Sequence, residues 1–201
     1  MISWTELIIL KTKPKPMKFF FLFSFIIVTM GVHAQEFMGV KVEGDKLNLI
    51  SQFKSKGFVL KGDSKQDAVI MEGNIGSKTY EIVISVTPKT KQVWKLSVYL
   101  PKSENWSRIR EEYNEYLDLL TTKYGKPEQT YAFFASPYKE GDGYEMSAIG
   151  LEKCYYSAYW EDNIGISIQI SKFKQVKVSY ENKKNVELLE VEKKEVNSKI
   201  F

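Results

Sequence analysis

Short stretches in which apolar and polar residues alternate recur between residues 58 and 180, and this alternation constrains the fold more than any other feature. The clearest is IGISIQI at residues 164–170, where every second residue is an isoleucine. Alternation with a period of two is typical of a strand with one buried face and one wet face, as in antiparallel sheets. The links at residues 72–78 and 87–92 are short enough for hairpins. We therefore predict an antiparallel sheet.

A first helix is predicted before these strands. Asp45 is a plausible N-cap, and Leu47, Ile50 and Phe53 recur at helical spacing after it. Gly57 ends the pattern as a C′ glycine. The strands predicted after this helix lie at residues 58–60, 69–71, 80–86 and 94–100.

A second, longer helix is the best-marked element of the chain. Ser103 is its predicted N-cap, and large apolar residues recur at every third or fourth position from Trp106 to Tyr124. Gly125 and Pro127 then stop it. The strands predicted after this helix lie at residues 130–134, 144–151, 154–161, 164–170 and 176–180, with a hairpin turn at 161–164.

The two halves share an order of helix followed by four to five strands, at about residues 45–100 and 104–180 of a domain spanning 35–181. The predicted class is therefore α+β: two pattern-level repeats, plus a charged C-terminal helix or tail at 182–201 with Val186, Leu189, Val196 and Ile200 near one side. This order resembles the tandem units of the beta-lactamase-inhibitor-protein-like fold, found in small exported bacterial inhibitors and envelope assembly factors. The resemblance implies a protein-binding role. The chain departs from it in lacking the inhibitors' disulfides and the assembly factors' lipid-anchor cysteine.

Residues 17–34 read as a secretory signal peptide rather than a buried N-terminal helix. Lys18 precedes a mostly apolar run at 19–30, which is too short to span a bilayer comfortably, and small residues at −3 and −1 precede Gln35. We expect a mature N-terminus at Gln35 and a soluble periplasmic or secreted product that carries no lipid anchor. Translation could start at Met1 or Met17.

Removing residues 1–34 changes the chemistry that the chain can offer. That segment holds four Lys and one Glu, so the totals of 29 basic and 25 acidic residues fall to 25 and 24, and the net charge falls from +4 to +1. A nucleic-acid partner is not expected without excess basic charge. The single histidine, His33, is also removed, which excludes His-dependent nucleophile systems and zinc sites. Cys154 is alone, and we interpret it as a small buried hydrophobe rather than a reactive thiol.

Acidic residues cluster at Glu140, Asp142 and Glu145, which raises the alternatives of a glycosidase pair or a calcium loop. The segment lacks the length and ligand count of an EF-hand, and solvated loop charge accounts for the carboxylates. We predict no catalytic residue, no cofactor and no metal, and hence no enzyme.

The candidate binding residues are tyrosines. Tyr138 and Tyr144 lie in the turn-rich segment 135–145, and Tyr155 and Tyr159 lie on a strand whose other face also carries rings. Only one ring-bearing face is needed for a core, so an exposed row would favour binding. We expect a module that binds an envelope or extracellular protein; the alternative is a glycan- or small-ligand-binding module that uses exposed Tyr or Trp.

Overall fold

The computed structural model describes residues 35–62, 67–160 and 165–198. In these ranges the chain has an α+β fold with four helices, an eight-stranded antiparallel sheet and a two-stranded hairpin. The α+β class and the C-terminal helix predicted from the sequence are therefore confirmed. The predicted signal peptide and the predicted turn at 161–164 lie outside the described residues.

The helices are α1 Lys46–Ser55, α2 Trp106–Tyr124, α3 Glu145–Gly150 and α4 Lys183–Asn197. The strands are β1 Glu36–Phe37, β2 Val40–Lys41, β3 Val59–Gly62, β4 Ala68–Ile75, β5 Lys78–Val86, β6 Val93–Tyr99, β7 Gln129–Phe134, β8 Cys154–Trp160, β9 Ile166–Ser171 and β10 Gln175–Glu181.

The large sheet joins the two halves of the chain side by side. Its strand order is β3-β4-β5-β6-β10-β9-β8-β7, so the last strand of each half meets the other at the centre. There Val98 of β6 pairs with Val178 of β10 in antiparallel register. The strands that come first after α1 and α2, which are β3 and β7, consequently form the two outer edges.

Helices α1 and α2 cover one face of the sheet, and the core lies between these helices and the sheet. Ile109 and Tyr113 of α2 are almost fully buried, and Tyr113 packs edge-to-face on Tyr156 of β8 with ring centroids 5.8 Å apart. Phe53 of α1 belongs to the same continuous cluster. The six inner strands contribute alternate side chains to this face, which accounts for the period of two in the sequence.

Helix α1 begins at the predicted cap and buries two residues four positions apart. Asp45 accepts hydrogen bonds from the backbone N–H groups of Leu47 (2.8 Å) and Asn48 (3.0 Å). Leu47 is 73% exposed, whereas Leu49 and Phe53 are fully buried. Leu47 sits in the first turn beside the cap, and the pair that faces the sheet is spaced by four residues. Leu47 therefore lies in the predicted helix but outside the core.

The predicted cap of α2 was also wrong by two residues. The side chain of Asn105, rather than that of Ser103, accepts the backbone hydrogen bond of Arg108 (2.9 Å). Ser103 instead accepts from the backbone of Asn105 (3.2 Å) and supports the cap from outside the helix. The C-terminal end agrees with the prediction, since Gly125 has a φ of 86°.

The strand predicted at residues 144–151 is the short helix α3. Glu145, Ala148 and Ile149 are its buried residues, and their spacing of three and four residues is helical. Leu151, which the strand pattern included, is 60% exposed. In so short a segment, apolar residues at mixed spacing fit either period, and the packing of one side on the core decides the outcome.

Helix α4 packs against β6 and the turn between β5 and β6. Leu189 and Glu192 are its buried residues, whereas Val196 is 37% exposed. Burial of the side that carries Leu189 therefore does not extend to Val196 near the end of the helix, and Ile200 lies outside the described residues. In the described part of the chain, none of the helices is both long and apolar enough to cross a membrane.

Candidate binding surface

The face of the sheet opposite α1 and α2, here called the outer face, carries the side chains that alternate with the core. Cross-strand register aligns seven of them in one row, strand by strand: Glu72, Glu81, Tyr99, Lys177, Gln169, Ser157 and Tyr131. The row is acidic on the first half of the sheet, has a lysine at the centre, and ends in a ring at β7. A ligand lying along this row would meet three different chemistries.

Four rings form an aromatic patch at the β7–β8 end of the outer face: Tyr131, Phe133, Tyr155 and Tyr159. Phe133 and Tyr155 are stacked with centroids 4.9 Å apart, and Tyr131 meets Tyr159 edge-to-face at 6.2 Å. Tyr131, Phe133 and Tyr155 are each 43% to 49% exposed. On the opposite face of β8, Tyr156, Ala158 and Trp160 are buried in the core. The rings of the patch therefore lie outside the core, on the solvent side of the sheet.

Lys177 lies at the centre of the outer face, between Tyr99 and Gln169. Burial lowers the pKa of its ammonium group, the neighbouring charge of Lys95 lowers it further, and Glu181 opposes both. Glu181 is itself paired with Lys95 at 2.6 Å. Within residues 35–62, 67–160 and 165–198, the side chain of Lys177 forms no hydrogen bond or ion pair, whereas its backbone belongs to the β6–β10–β9 ladder.

Two recesses open beside this row. One of about 430 Å³ lies between β4, β5, β6 and the β9–β10 turn, and its lining includes Glu81, Tyr99 and Phe173. A smaller one of about 170 Å³ adjoins the aromatic patch at Tyr155 and Tyr159. The second is smaller than the clefts of about 300 Å³ or more that hold drug-sized molecules.

The structure separates the four predicted binding residues into two pairs. Tyr155 and Tyr159 belong to the aromatic patch. Tyr138 is half-buried and Tyr144 is 64% exposed in the segment between β7 and α3. That segment is tied to the helix-covered side, because Glu140 pairs with Arg110 of α2 and accepts from the hydroxyl of core residue Tyr156. Among the described residues, no ring contact or hydrogen bond joins the two pairs.

The three acidic residues of this segment are all used to hold it in place. Glu140 accepts a hydrogen bond of 2.9 Å from Tyr156, and this bond together with Arg110 lowers the pKa of the Glu140 carboxyl. Asp142 accepts from the backbone N–H groups of Lys139 (2.7 Å) and Tyr144 (2.8 Å).

Glu145 is buried and accepts from the backbone N–H of Gly141 at 2.7 Å. The expectation that solvated charge explains these acids was therefore wrong for Glu145, because α3 carries it into the interior. Each carboxylate has a structural partner in the segment or on the adjoining core.

Cys154 is half-buried and packs against the core. Burial raises the pKa of its thiol to about 12, so the sulfur stays protonated at neutral pH. A protonated, partly covered thiol is a poor nucleophile. In the described ranges, no group of three or more His, Cys, Asp or Glu side chains is arranged to hold a metal ion.

Three outer-face residues were missed from the sequence: Tyr131, Phe133 and Lys177. The first two lie two residues apart in a predicted strand and so share one face, as Tyr155 and Tyr159 do four residues apart on theirs. A predicted pairing of the two strands would have brought the two sets together. Lys177 alternates with buried Val176 and Val178, which indicates an outward position but not a central one. Comparison of the chain with protein-family models, with curated proteins and with solved structures found no match.

Proposed function

We propose that the protein is an exported, non-catalytic binding module that holds another protein against the outer face of its sheet. The observation that carries this proposal is the aromatic patch, in which Tyr131, Phe133 and Tyr155 remain 43% to 49% exposed although the core lies on the other side of the sheet. Contiguous exposed rings are uncommon unless they serve a binding surface, and Tyr in particular is enriched at the energetic centres of interfaces.

The centre of the outer face supports the same proposal. Lys177 is half-buried between Tyr99 and Gln169, so a partner's carboxylate would meet a cation that has already lost part of its hydration. Desolvated charge pairs of this kind fix the orientation of a partner and select against wrong ones. The proposed partner therefore presents an apolar or aromatic group to the patch and an acidic group to Lys177.

A glycan or small ligand is the second candidate. The stacked, exposed rings of Phe133 and Tyr155 offer a flat apolar surface on which a sugar ring could lie. The recess beside them is about 170 Å³, which leaves most of such a ligand uncovered. We therefore place this candidate behind a protein partner.

Export rests on the sequence pattern of residues 17–34, and the fold resemblance rests on the order of elements. Two sets of one helix and four sheet strands, joined through β6 and β10, support the resemblance to the tandem helix-and-sheet proteins. An extracytoplasmic inhibitor or envelope assembly factor would present such a face to its partner.

Site-specific photo-crosslinking tests the proposal. A benzophenone derivative of phenylalanine replaces Tyr155 in one variant and Leu119, which is 57% exposed on α2, in the control. Irradiation of cells that produce the protein should yield a discrete adduct from position 155 and none from position 119. Lys177→Glu in the position-155 variant should reduce the yield, because it would oppose an acidic partner.

The outcomes separate the candidates. A protein adduct that is specific to position 155 supports the protein-binding module, and mass spectrometry of the adduct identifies the partner. Binding of the purified protein to a glycan array, lost on Tyr155→Ala, would support the second candidate instead. Equal adducts at both positions, or none at either with no glycan binding, would overturn the outer face as the working surface.

A further inference from the structure

The edge strand β7 leaves one side of the large sheet without a neighbouring strand in the described part of the chain. It has six residues, pairs only with β8 among the described strands, and five of its residues are exposed. Residues 129–137, QTYAFFASP, contain no charge. Exposed, uncharged edge strands are templates for pairing with another strand, and proteins normally protect them with charges, bulges or short length.

The opposite edge of the same sheet shows that protection. Strand β3 has four residues, carries Lys61, and is interrupted by a register shift between Leu60 and Gly62. Each of these features discourages pairing with a second sheet. Because β3 carries such features and β7 does not, we expect the edge of β7 to pair with a strand from another molecule.

The backbone of β7 defines what that occupant must provide. Antiparallel strands alternate between residues that bond the neighbour and residues that point away from it. The N–H of Ala135 donates to the carbonyl of Lys153 at 2.8 Å, in register with the rest of the β7–β8 pair. The odd-numbered residues of β7 therefore bond β8. Thr130, Ala132 and Phe134 direct their N–H and C=O groups outward.

We propose that this edge pairs with the same edge of a second copy of the chain, giving a two-fold dimer with one continuous sheet across both copies. In the register centred on Ala132, Thr130 of each copy pairs with Phe134 of the other, and every outward N–H and C=O group of the strand is used. A register centred on Tyr131 would leave the outward groups of Phe134 without partners in the facing strand.

Side chains favour the same register. Tyr131 of one copy falls opposite Phe133 of the other on the outer face, and aromatic cross-strand pairs of this kind stabilise antiparallel strands. No charged residue of β7 meets a like charge across the two-fold axis, because the strand has none. The aromatic patches of the two copies become one surface.

The dimer is expected to be weak. A pair of six-residue strands is a small interface, and small interfaces, below roughly 1,200 Å², are typical of weak and transient complexes. It rests on backbone groups and does not depend on the proposed binding of another protein. Sedimentation of the purified protein alone therefore tests it separately.

The experiment compares the wild type with three variants by sedimentation equilibrium from about 1 to about 500 µM, a range chosen for a weak interface. Ala132→Pro removes an outward N–H and leaves the aromatic patch unchanged. Tyr131→Lys with Phe133→Lys places like charges opposite each other across the axis. Tyr131→Lys with Phe133→Glu removes the same rings but places opposite charges together in the register centred on Ala132.

The wild type should dimerise reversibly. Ala132→Pro and the double-lysine variant should each lower the association constant about tenfold or more, and the lysine–glutamate variant should associate more strongly than the double-lysine variant. A wild type that stays monomeric to the highest concentration, or a double-lysine variant that dimerises as well as the wild type, would overturn the proposal. Equal weakening of the two charged variants would overturn the register. Circular dichroism verifies that each variant is folded; if Ala132→Pro is not, the charged pair decides.

Discussion

The buried carboxylate of Glu192 is expected to hold α4 onto the sheet, and its removal gives a specific prediction. Glu192 is 3% exposed and accepts hydrogen bonds from the backbone N–H of Lys89 (2.6 Å) and from the hydroxyl of Thr90 (2.5 Å) in the β5–β6 turn. Hydrogen bonds to a charged group contribute about 1.5 to 3 kcal/mol each, and an orphaned buried donor costs a similar amount. Glu192→Ala should therefore lower the free energy of unfolding by about 3 kcal/mol, and Glu192→Gln by less.

The pKa of Glu192 predicts how the stability that this carboxylate contributes changes with pH. Burial raises the pKa of Glu192, but the hydrogen bonds from Thr90 and Lys89 outweigh it, so the folded pKa lies below the ordinary value. A group with a lowered folded pKa contributes stability above its unfolded pKa of about 4.3, and loses it as the pH falls through the folded value.

Urea unfolding at pH 7 and near pH 3 should show a gap between wild type and Glu192→Gln that narrows in acid. Glu190→Gln is the control, because Glu190 is exposed and pairs with Lys193 on its own helix. A gap that is the same at both pH values, or a Glu190→Gln variant as unstable as Glu192→Gln, would refute the role assigned to the carboxylate.

Three further predictions concern the core and the N-terminus. Ile109→Ala should lower the free energy of unfolding by about 2 to 5 kcal/mol, because Ile109 is 1% exposed. Glu111→Ala, at an exposed position of the same helix, should change it little. Equal losses in chemical unfolding would mean that the buried face of α2 is misassigned. Gly73→Ala should lower the melting temperature, because a Cβ there would lie 2.6 Å from the ring of Phe58 and overpacking costs about 1 to 3 kcal/mol; an unchanged melting temperature would show that the ring moves freely. Edman sequencing of the secreted product should start at Gln35, and an uncleaved N-terminus would contradict the signal peptide.

Local patterns predicted most helices and strands, because the residues within and next to a segment largely determine which of the two it forms. The period of two found the strands of the large sheet, and the glycine at position 125 marked the end of α2. The segment at 144–151 failed because its apolar residues fit both periods, and only contact with the core made it a helix. The Asn105 cap was missed because Ser103 is an equally good capping residue by type.

The outer face could be predicted only in part, because it depends on which strands are neighbours. Tyr155 and Tyr159 were found from alternation within one strand. Tyr131 and Phe133 join them only through the β7–β8 register, and Lys177 becomes central only because β10 pairs with β6 across about 80 residues of sequence. No local window contains that information.

The pairing of β6 with β10 also determines what a partner would meet. It places the acidic side chains of Glu72 and Glu81 and the aromatic patch on one continuous face, with Lys177 between them. A partner that touches only the patch would leave Lys177 desolvated and unpaired, whereas one that also brings a carboxylate to Lys177 would remove that cost. Selectivity should therefore reside at the centre of the sheet. Lys177→Gln should weaken discrimination between partners more than it weakens contact with the rings, whereas Tyr155→Ala should weaken all binding alike.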